Sequence, residues 1–245
     1  MALARGLELL RSFTPQTPAL SNGELAERVG LPKSTVSRLT RTLVDLGYLR
    51  QDGRAYSVGP AVLALGYAAL ANLRVRELAR PHMQALADAT QTLVSLATRD
   101  RLAMIYLENC RGASNVTLRV AVGTQLPLAS TSVGRAFLAG LPQAERDFLL
   151  KQLAAREGKG WRVQAVAIGR ELERYAARGY CLSLGEWKKD TNAAATPLRL
   201  PGGGDLLTLS IGGPAFAVTE RQLVEDLAPR LVALARHIEA AVAAP

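Results

Sequence analysis

The sequence predicts an α+β chain in two parts: a small helical head closed by a hairpin, and a larger mixed domain. Three observations carry that expectation. Up to residue 58, two short helical patterns separated by one glycine run into two strand-length segments around Asp52-Gly53. From residue 92 onward, strand-like runs alternate with amphipathic stretches. At 245 residues the chain is long enough for one large domain or two modest ones, with a core that needs no staples. The boundaries read as 1–59 for the head, 60–74 for a linking helix and 75–245 for the second domain.

The elements follow from periodicity and punctuation. Leu3, Leu7, Leu10 and Phe13 recur at helical spacing, so Ala2 to Phe13 is a helix. Thr14 to Pro18 is a loop. Ser21-Asn22-Gly23-Glu24 is a capping box that opens a second helix with Leu25, Ala26 and Val29 on one face. Gly30 is placed to end it in the positive-φ position. Pro32 then suits the first turn of a third helix, where a missing N–H costs nothing. Its apolar stripe is Val36, Leu39, Leu43 and Leu46, and Gly47 is its C-terminal cap. Tyr48 to Arg50 and Ala55 to Val58 flank Asp52-Gly53 as a two-stranded hairpin.

Pro60 to Leu73 is expected as the linking helix and Arg76 to Ala89 as the next. Strands are expected over Thr92 to Thr98, Leu102 to Glu108, Asn115 to Val122, Val163 to Ile168, Cys181 to Ser183, Ala193 to Pro197 and Leu206 to Ile211. Helices are expected over Ser132 to Ala139, Gln143 to Leu153, Glu171 to Arg178 and Glu220 to Ala244.

Composition narrows the function. Apolar residues at 49% and charged residues at 21% fit a globular protein and exclude a fibre or a disordered chain. The net charge of +9 makes a polyanion a fair partner. It does not locate a face: nine basic and five acidic residues precede position 76, and 21 and 16 follow it. No signal peptide is expected, because Glu8 and Arg11 interrupt any apolar run. The longest uncharged run, Ala55 to Leu73, is broken at Gly59-Pro60. The expected location is the cytoplasm.

Two cysteines, Cys110 and Cys181, and two histidines, His82 and His237, leave little for a metal cluster or a His-based triad. The thiols read as ordinary and the histidines as helix-face residues. No cofactor or catalytic residue is expected. Pro201 to Asp205 lacks a following Lys-Ser or Lys-Thr and reads as a hairpin turn rather than a phosphate loop. Trp187, beside Lys188 and Lys189, reads as a surface anchor; its second reading, shared with Glu186, is the mouth of a pocket.

Two helices joined by a tight glycine turn and followed by a hairpin make a winged helix-turn-helix. The third helix must bury one face and offer the other to the major groove of duplex DNA. Its polar face carries Lys33, Ser34, Thr35, Ser37, Arg38, Arg41 and Thr42. Short hydroxyl side chains let a helix approach base edges, and Lys and Arg bind phosphate or, for Arg, guanine. Arg50 and Arg54 flank the hairpin tip, where a wing meets the DNA backbone. The alternative for this face is a basic, solvated helix surface.

The stretch Gly30-Leu31-Pro32-Lys33-Ser34-Thr35-Val36-Ser37-Arg38-Leu39, with Leu46-Gly47-Tyr48-Leu49, resembles the DNA-binding domain of the isocitrate lyase regulator (IclR) family. The likeness continues through Tyr56 to Pro60, Leu65-Gly66, Ala79 to Pro81, Val122-Gly123 with Pro127-Leu128, Ser132 to Ala136, Arg178 to Tyr180 and Ser210 to Pro214. It implies a transcriptional regulator with a GAF/profilin-like C-terminal domain, a curved antiparallel sheet flanked by helices that binds a small effector. It also implies a homodimer or homotetramer on a pseudo-palindromic operator, with reading helices about 34 Å apart or a multiple of that.

The resemblance places the effector, a small carboxylate or aromatic acid, at the helix start Ser132-Val133-Gly134, where free N–H groups favour an anion. It adds Ser183, Ala193, Ser210 and Gly212. The pattern for small-acid sensors has an acidic residue near Ser183, a cysteine near Ala193 and a second serine near Gly212. These replacements are expected to leave room and remove polar partners, favouring an aromatic or longer-chain acid. Two alternatives stand beside this one: a catalytic domain fused to a DNA-binding head, which lacks any G-x-S-x-G or nucleophile with a base, and a non-specific architectural DNA binder.

Overall fold

The computed structural model describes residues 2–113, 118, 120–201 and 206–243. The chain forms two compact units, Met1–Leu73 and Arg74–Pro245.

The first unit packs α1 (Ala2–Arg11), α2 (Asn22–Val29) and α3 (Lys33–Asp45) around Leu9, Leu20, Leu25 and Val36. The capping box forms as expected. Glu24 N donates to Ser21 Oγ at 3.3 Å, and Ser21 N donates to Glu24 Oε2 at 2.7 Å. That backbone bond, reinforced by the Ser21 hydroxyl, holds the Glu24 carboxyl below the usual carboxylate range. Gly30 takes φ +64 and ends α2. Gly47 takes φ +75 just after α3, with Tyr48 N donating to Leu43 O at 2.8 Å and Gly47 N to Val44 O at 2.9 Å. That is a Schellman closure.

The hairpin is β2 (Leu49–Asp52) and β3 (Ala55–Val58), with Asp52 opposite Ala55 and Gly53 at φ +56. A strand the periodicity did not signal, β1 (Ala19–Ser21), pairs with the other edge of β3.

Two apolar stripes differ from expectation. In α1 the buried positions are Gly6 and Leu9, while Leu3 and Leu7 are exposed. In α3 the stripe is completed by Thr40, wholly buried with its hydroxyl bonded to Val36 O at 3.0 Å; Leu46 lies outside, 61% exposed. A threonine that satisfies its own hydroxyl within the helix packs as a small apolar residue. The helix α4 (Pro60–Ala71) buries none of its residues.

The second unit is built on a six-stranded antiparallel sheet of order β6-β5-β4-β9-β8-β7. Its strands are β4 (Leu93–Asp100), β5 (Ala103–Arg111), β6 (Gln125–Pro127), β7 (Cys181–Leu184), β8 (Thr191–Leu198) and β9 (Leu207–Pro214). On one face lie α5 (Arg74–Thr90) and the C-terminal helix, which runs through α9 (Glu220–Gln222), a π turn (Leu223–Leu227) and α10 (Ala228–Ala243). On the other lie α6 (Ser132–Gly140) and α8 (Trp161–Arg178), with α7 (Gln143–Glu157) against α8. His82 and His237 meet edge to face between α5 and α10, ring centres 4.6 Å apart.

Two buried carboxylates lock helices to strands. Glu108 of β5 pairs with Arg76 at 2.9 Å and Arg80 at 2.8 Å, both on α5. Glu171 of α8 pairs with Arg174 and Arg178 and accepts Leu182 N of β7 at 2.6 Å. A buried carboxylate is tolerated only when paired and hydrogen-bonded in this way.

The expected strand Val163 to Ile168 is instead part of α8. Ile168 is buried, and Leu172 and Tyr175 follow it at helical spacing into the core, while Val163 and Val166 face outward. The alternating valines imitate a strand only because their outward face is apolar. The expected strand Asn115 to Val122 lies partly outside the described residues. Its described residues Leu118 and 120–122 are not strand, and the edge strand here is β6. The turn expected at Pro201 to Asp205 lies outside the described residues, apart from Pro201.

Burial pushes the Cys110 thiol up to about 11, with the Glu108 carboxylate adding to it, and the Cys181 thiol up to about 12, with Glu171 adding. Both are therefore almost wholly protonated at pH 8, and the thiolate is the reactive form. Iodoacetamide is expected to leave both unmodified in the folded protein and to alkylate both in guanidinium, as read by mass spectrometry. Native labelling at the rate of free cysteine would contradict this.

Candidate functional site

The exposed side of α3 holds Lys33, Ser34, Ser37, Arg38, Arg41 and Thr42, with Thr35 half-buried. Arg50 and Arg54 are exposed on β2 and at the hairpin turn. Thus the polar residues singled out on α3 share one accessible face, opposite Val36 and Thr40. Two of the hydroxyls are already engaged. Ser37 Oγ donates to Lys33 O at 3.0 Å and accepts from Asn22 Nδ2 of α2 at 2.9 Å. Thr42 Oγ1 donates to Arg38 O at 3.1 Å.

In the second unit, the N-terminus of α6 sits over the sheet. Thr131 is the N-cap: its Oγ1 accepts from Gly134 N at 3.1 Å and donates to Pro127 O at 2.8 Å. The cap thus takes the third N–H of the helix, and those of Ser132 and Val133 have no partner inside it. Ser132 and Val133 line a cavity whose floor is Ser183, Ala193, Ser210 and Gly212, all on the sheet face beneath α6. Tyr106 of β5 and Trp187 of the β7–β8 loop complete the lining in this account.

Six of the seven residues singled out for the effector are therefore together. Gly134 is the exception. It is buried, with its N–H taken by the cap, and its place is a close approach to Leu128. Ser183 faces the cavity, yet its hydroxyl donates to Ser130 O at 2.9 Å, anchoring the loop before α6.

The replacements at Ala193 and Gly212 do not leave the expected room. A Cβ on Gly212 would fall 2.8 Å from Ala193 Cβ and 2.7 Å from Asn192 O, so β8 has closed into that space. The cavity measures about 30 Å³. That is the volume of one water molecule, against a few hundred Å³ for a ligand pocket. A larger groove of about 980 Å³ runs past Phe137, Phe148 and Arg199, but it is broad and open and gathers no buried polar groups.

Trp187 and Glu186 belong to the site more firmly than their sequence context suggests. Trp187 is half-buried against the core beside α6. Arg135, almost fully buried on α6, donates to Ala129 O at 3.2 Å and Leu182 O at 3.1 Å, and pairs with Glu186. One guanidinium thereby fixes the loop before α6, strand β7 and the loop that carries Trp187. Arg135 lay within the matched segment Ser132 to Ala136, but its role depends on Glu186, 51 residues away.

No group of three or more metal-ligating side chains occurs among the described residues. No helix among them is long and apolar enough to cross a membrane.

A winged helix-turn-helix followed by a domain with an enclosed anion-favouring cavity defines a ligand-responsive DNA-binding regulator. Residues 2–53 match the IclR helix-turn-helix domain, and residues 67–240 match the bacterial transcriptional regulator IclR C-terminal domain. The chain belongs to the IclR family of transcriptional regulators.

Among relatives, it is 35% identical to the HTH-type transcriptional regulator TsaQ1/TsaQ2 of Comamonas testosteroni, over 98% of this chain and 87% of that protein. It is 27% identical to the Pca regulon regulatory protein of Pseudomonas putida, over 97% and 82%. Among solved structures, an IclR family regulator from Brucella abortus is 46% identical with a TM-score of 0.91, covering 98% of this chain and 92% of that one. An IclR homologue from Microbacterium hydrocarbonoxydans in complex with 4-hydroxybenzoate is 25% identical with a TM-score of 0.77, covering 99% of each.

Proposed function

We propose that this protein binds a pseudo-palindromic operator as a homodimer or homotetramer and releases or reshapes that contact when an aromatic or longer-chain carboxylate enters the cavity under α6. In this reading Lys33, Ser34, Thr35, Arg38 and Arg41 face the major groove, with Ser37 and Thr42 beside them, and Arg50 and Arg54 meet phosphate from the hairpin. The carboxylate accepts from Ser132 N and Val133 N; Ser183, Ala193, Ser210 and Gly212 shape the rest.

The observation that carries the effector reading is the pair of N–H groups at the start of α6, opening into an enclosed cavity with apolar walls. The 4-hydroxybenzoate in the Microbacterium homologue supports an acid of this kind. Because the cavity is now so small, such an acid enters only if a wall yields, and the Trp187 loop is the wall attached by a partly exposed ion pair. The acid changes DNA binding only if its affinity differs between the two arrangements of the protein.

For assembly, the support is α4. Leu63, Leu65 and Tyr67 are all more than half exposed on a helix that buries none of its own residues. A helix apolar on every side calls for a partner surface, and a second copy supplies one.

Isothermal calorimetry with a panel of acids tests the effector class. Benzoates or longer acids are expected to bind more tightly than glyoxylate or pyruvate, and the reverse order would defeat the proposal. A footprint on the chain's own upstream region tests the operator. Uniform affinity across sequences with a steep salt slope would favour the architectural reading instead.

A further inference from the structure

We infer that the acid sensed by this protein is a monoanion whose end remote from the carboxylate carries a neutral hydroxyl, received by Tyr106, Ser95 and Ser210. This rests on the effector site proposed above and adds the chemistry of its far end.

The sheet register assembles the three hydroxyl side chains. Ser95 of β4 lies opposite Ser210 of β9, and Ala97, two residues on, lies opposite Tyr106 of β5. A bulge at Leu96/Ala97 skips Leu107, so Leu96 faces Glu108 while Ala97 faces Tyr106. Tyr106 and Glu108 therefore point to opposite faces of the sheet. Glu108 meets the arginines of α5, and Tyr106 lines the cavity with Ser210. Ser95 shares that face and is wholly buried, and its Oγ has no hydrogen-bond partner of acceptable geometry. A buried hydroxyl without a partner costs stability, so its retention needs a reason. A ligand hydroxyl between Ser95 and Tyr106 supplies one.

Charge fixes the rest. No lysine, arginine or histidine is among the described residues lining the cavity. The favourable field for an anion is at the start of α6. At the floor, burial pushes the Tyr106 phenol up to about 12, although the Ser210 and Ser95 hydroxyls pull it back. Negative charge is thus disfavoured where the far end of a ligand would rest. A second carboxylate there would be buried without a cation. Trp187 and Leu126 on the walls suit a flat carbon frame between the two polar ends.

Four acids on one frame separate these features: benzoate, 3-hydroxybenzoate, 4-hydroxybenzoate and terephthalate, titrated calorimetrically into the full chain. The better hydroxybenzoate is expected to bind at least about tenfold more tightly than benzoate, the worth of one buried hydrogen bond, and terephthalate least tightly of the four. Ser95→Ala and Tyr106→Phe remove only the receiving hydroxyls. Each is expected to bring that ratio below about threefold while leaving benzoate affinity unchanged. Ser95→Ala should also melt no lower than the parent, since it deletes an unpartnered polar atom. Equal affinity for benzoate and both hydroxybenzoates, or tightest binding of terephthalate, overturns the inference and leaves the acid site standing. Binding of none of the four overturns the acid site and the inference together.

Discussion

Arg38→Ala is expected to abolish discrimination between the operator and a scrambled duplex while leaving the fold unchanged. Arg38 stands mid-way along the exposed side of α3, clear of the packing that seats the helix. Its neighbours on that face are less suited to reading sequence. Ser37 is tied to Asn22 and to Lys33 O, and Thr42 to Arg38 O. A good arginine contact to a base edge is worth about 1–3 kcal/mol. Two heads on one operator lose that twice, about 2–6 kcal/mol against a total discrimination of roughly 4–10. The remaining phosphate contacts keep the non-specific affinity. Fluorescence anisotropy on both duplexes reads the loss, and a thermal melt within about 0.5 kcal/mol of the parent excludes unfolding. Unchanged operator affinity would remove α3 from the recognition role.

The contrast between the two units shows which physics a sequence exposes. In the head the determinants are local. Ser21 and Glu24 sit three residues apart, Gly30 and Gly47 close the helix ends, and Asp52-Gly53 turns the hairpin, so each is readable in a short window. Where the head was misread, packing chose between equivalent stripes. Leu9 rather than Leu3 and Leu7 fills the core, and Thr40 replaces Leu46 by satisfying its own hydroxyl.

In the second unit the determinants are long-range. Glu108 reads as an ordinary strand residue until α5 brings Arg76 and Arg80 to it, and the valines of α8 alternate like a strand until Ile168, Leu172 and Tyr175 decide the face. Six of the effector residues came together because the resemblance supplied their order, and spacing alone would not have chosen them. Tyr106, Ser95 and Trp187 were passed over for one reason: their place depends on a bulge and a loop closure that no local pattern marks.

Gly134→Ala is expected to destabilise the second unit by about 3 kcal/mol or more, in the range of severe core substitutions. A Cβ at this position would lie 2.0 Å from Leu128 O, 2.5 Å from its carbonyl carbon and 2.7 Å from its Cα, all backbone. No rotamer change relieves contacts of that kind. The start of α6 must lift, and every residue from Ser132 to Leu138 is buried, so the shift propagates into the core. Lifting also breaks the 3.1 Å cap from Gly134 N to Thr131 Oγ1 and turns the N–H groups of Ser132 and Val133 away from the cavity. A fall in Tm of roughly 6–12 °C is expected for a unit of this size, together with loss of acid binding at temperatures where the protein is still folded. Ser132→Ala separates the two effects: it keeps the backbone N–H and the helix start, so most of the acid affinity should persist. If Gly134→Ala melts with the parent and still binds the acid, the tight approach of α6 to Leu128 is not what presents those amides to the ligand.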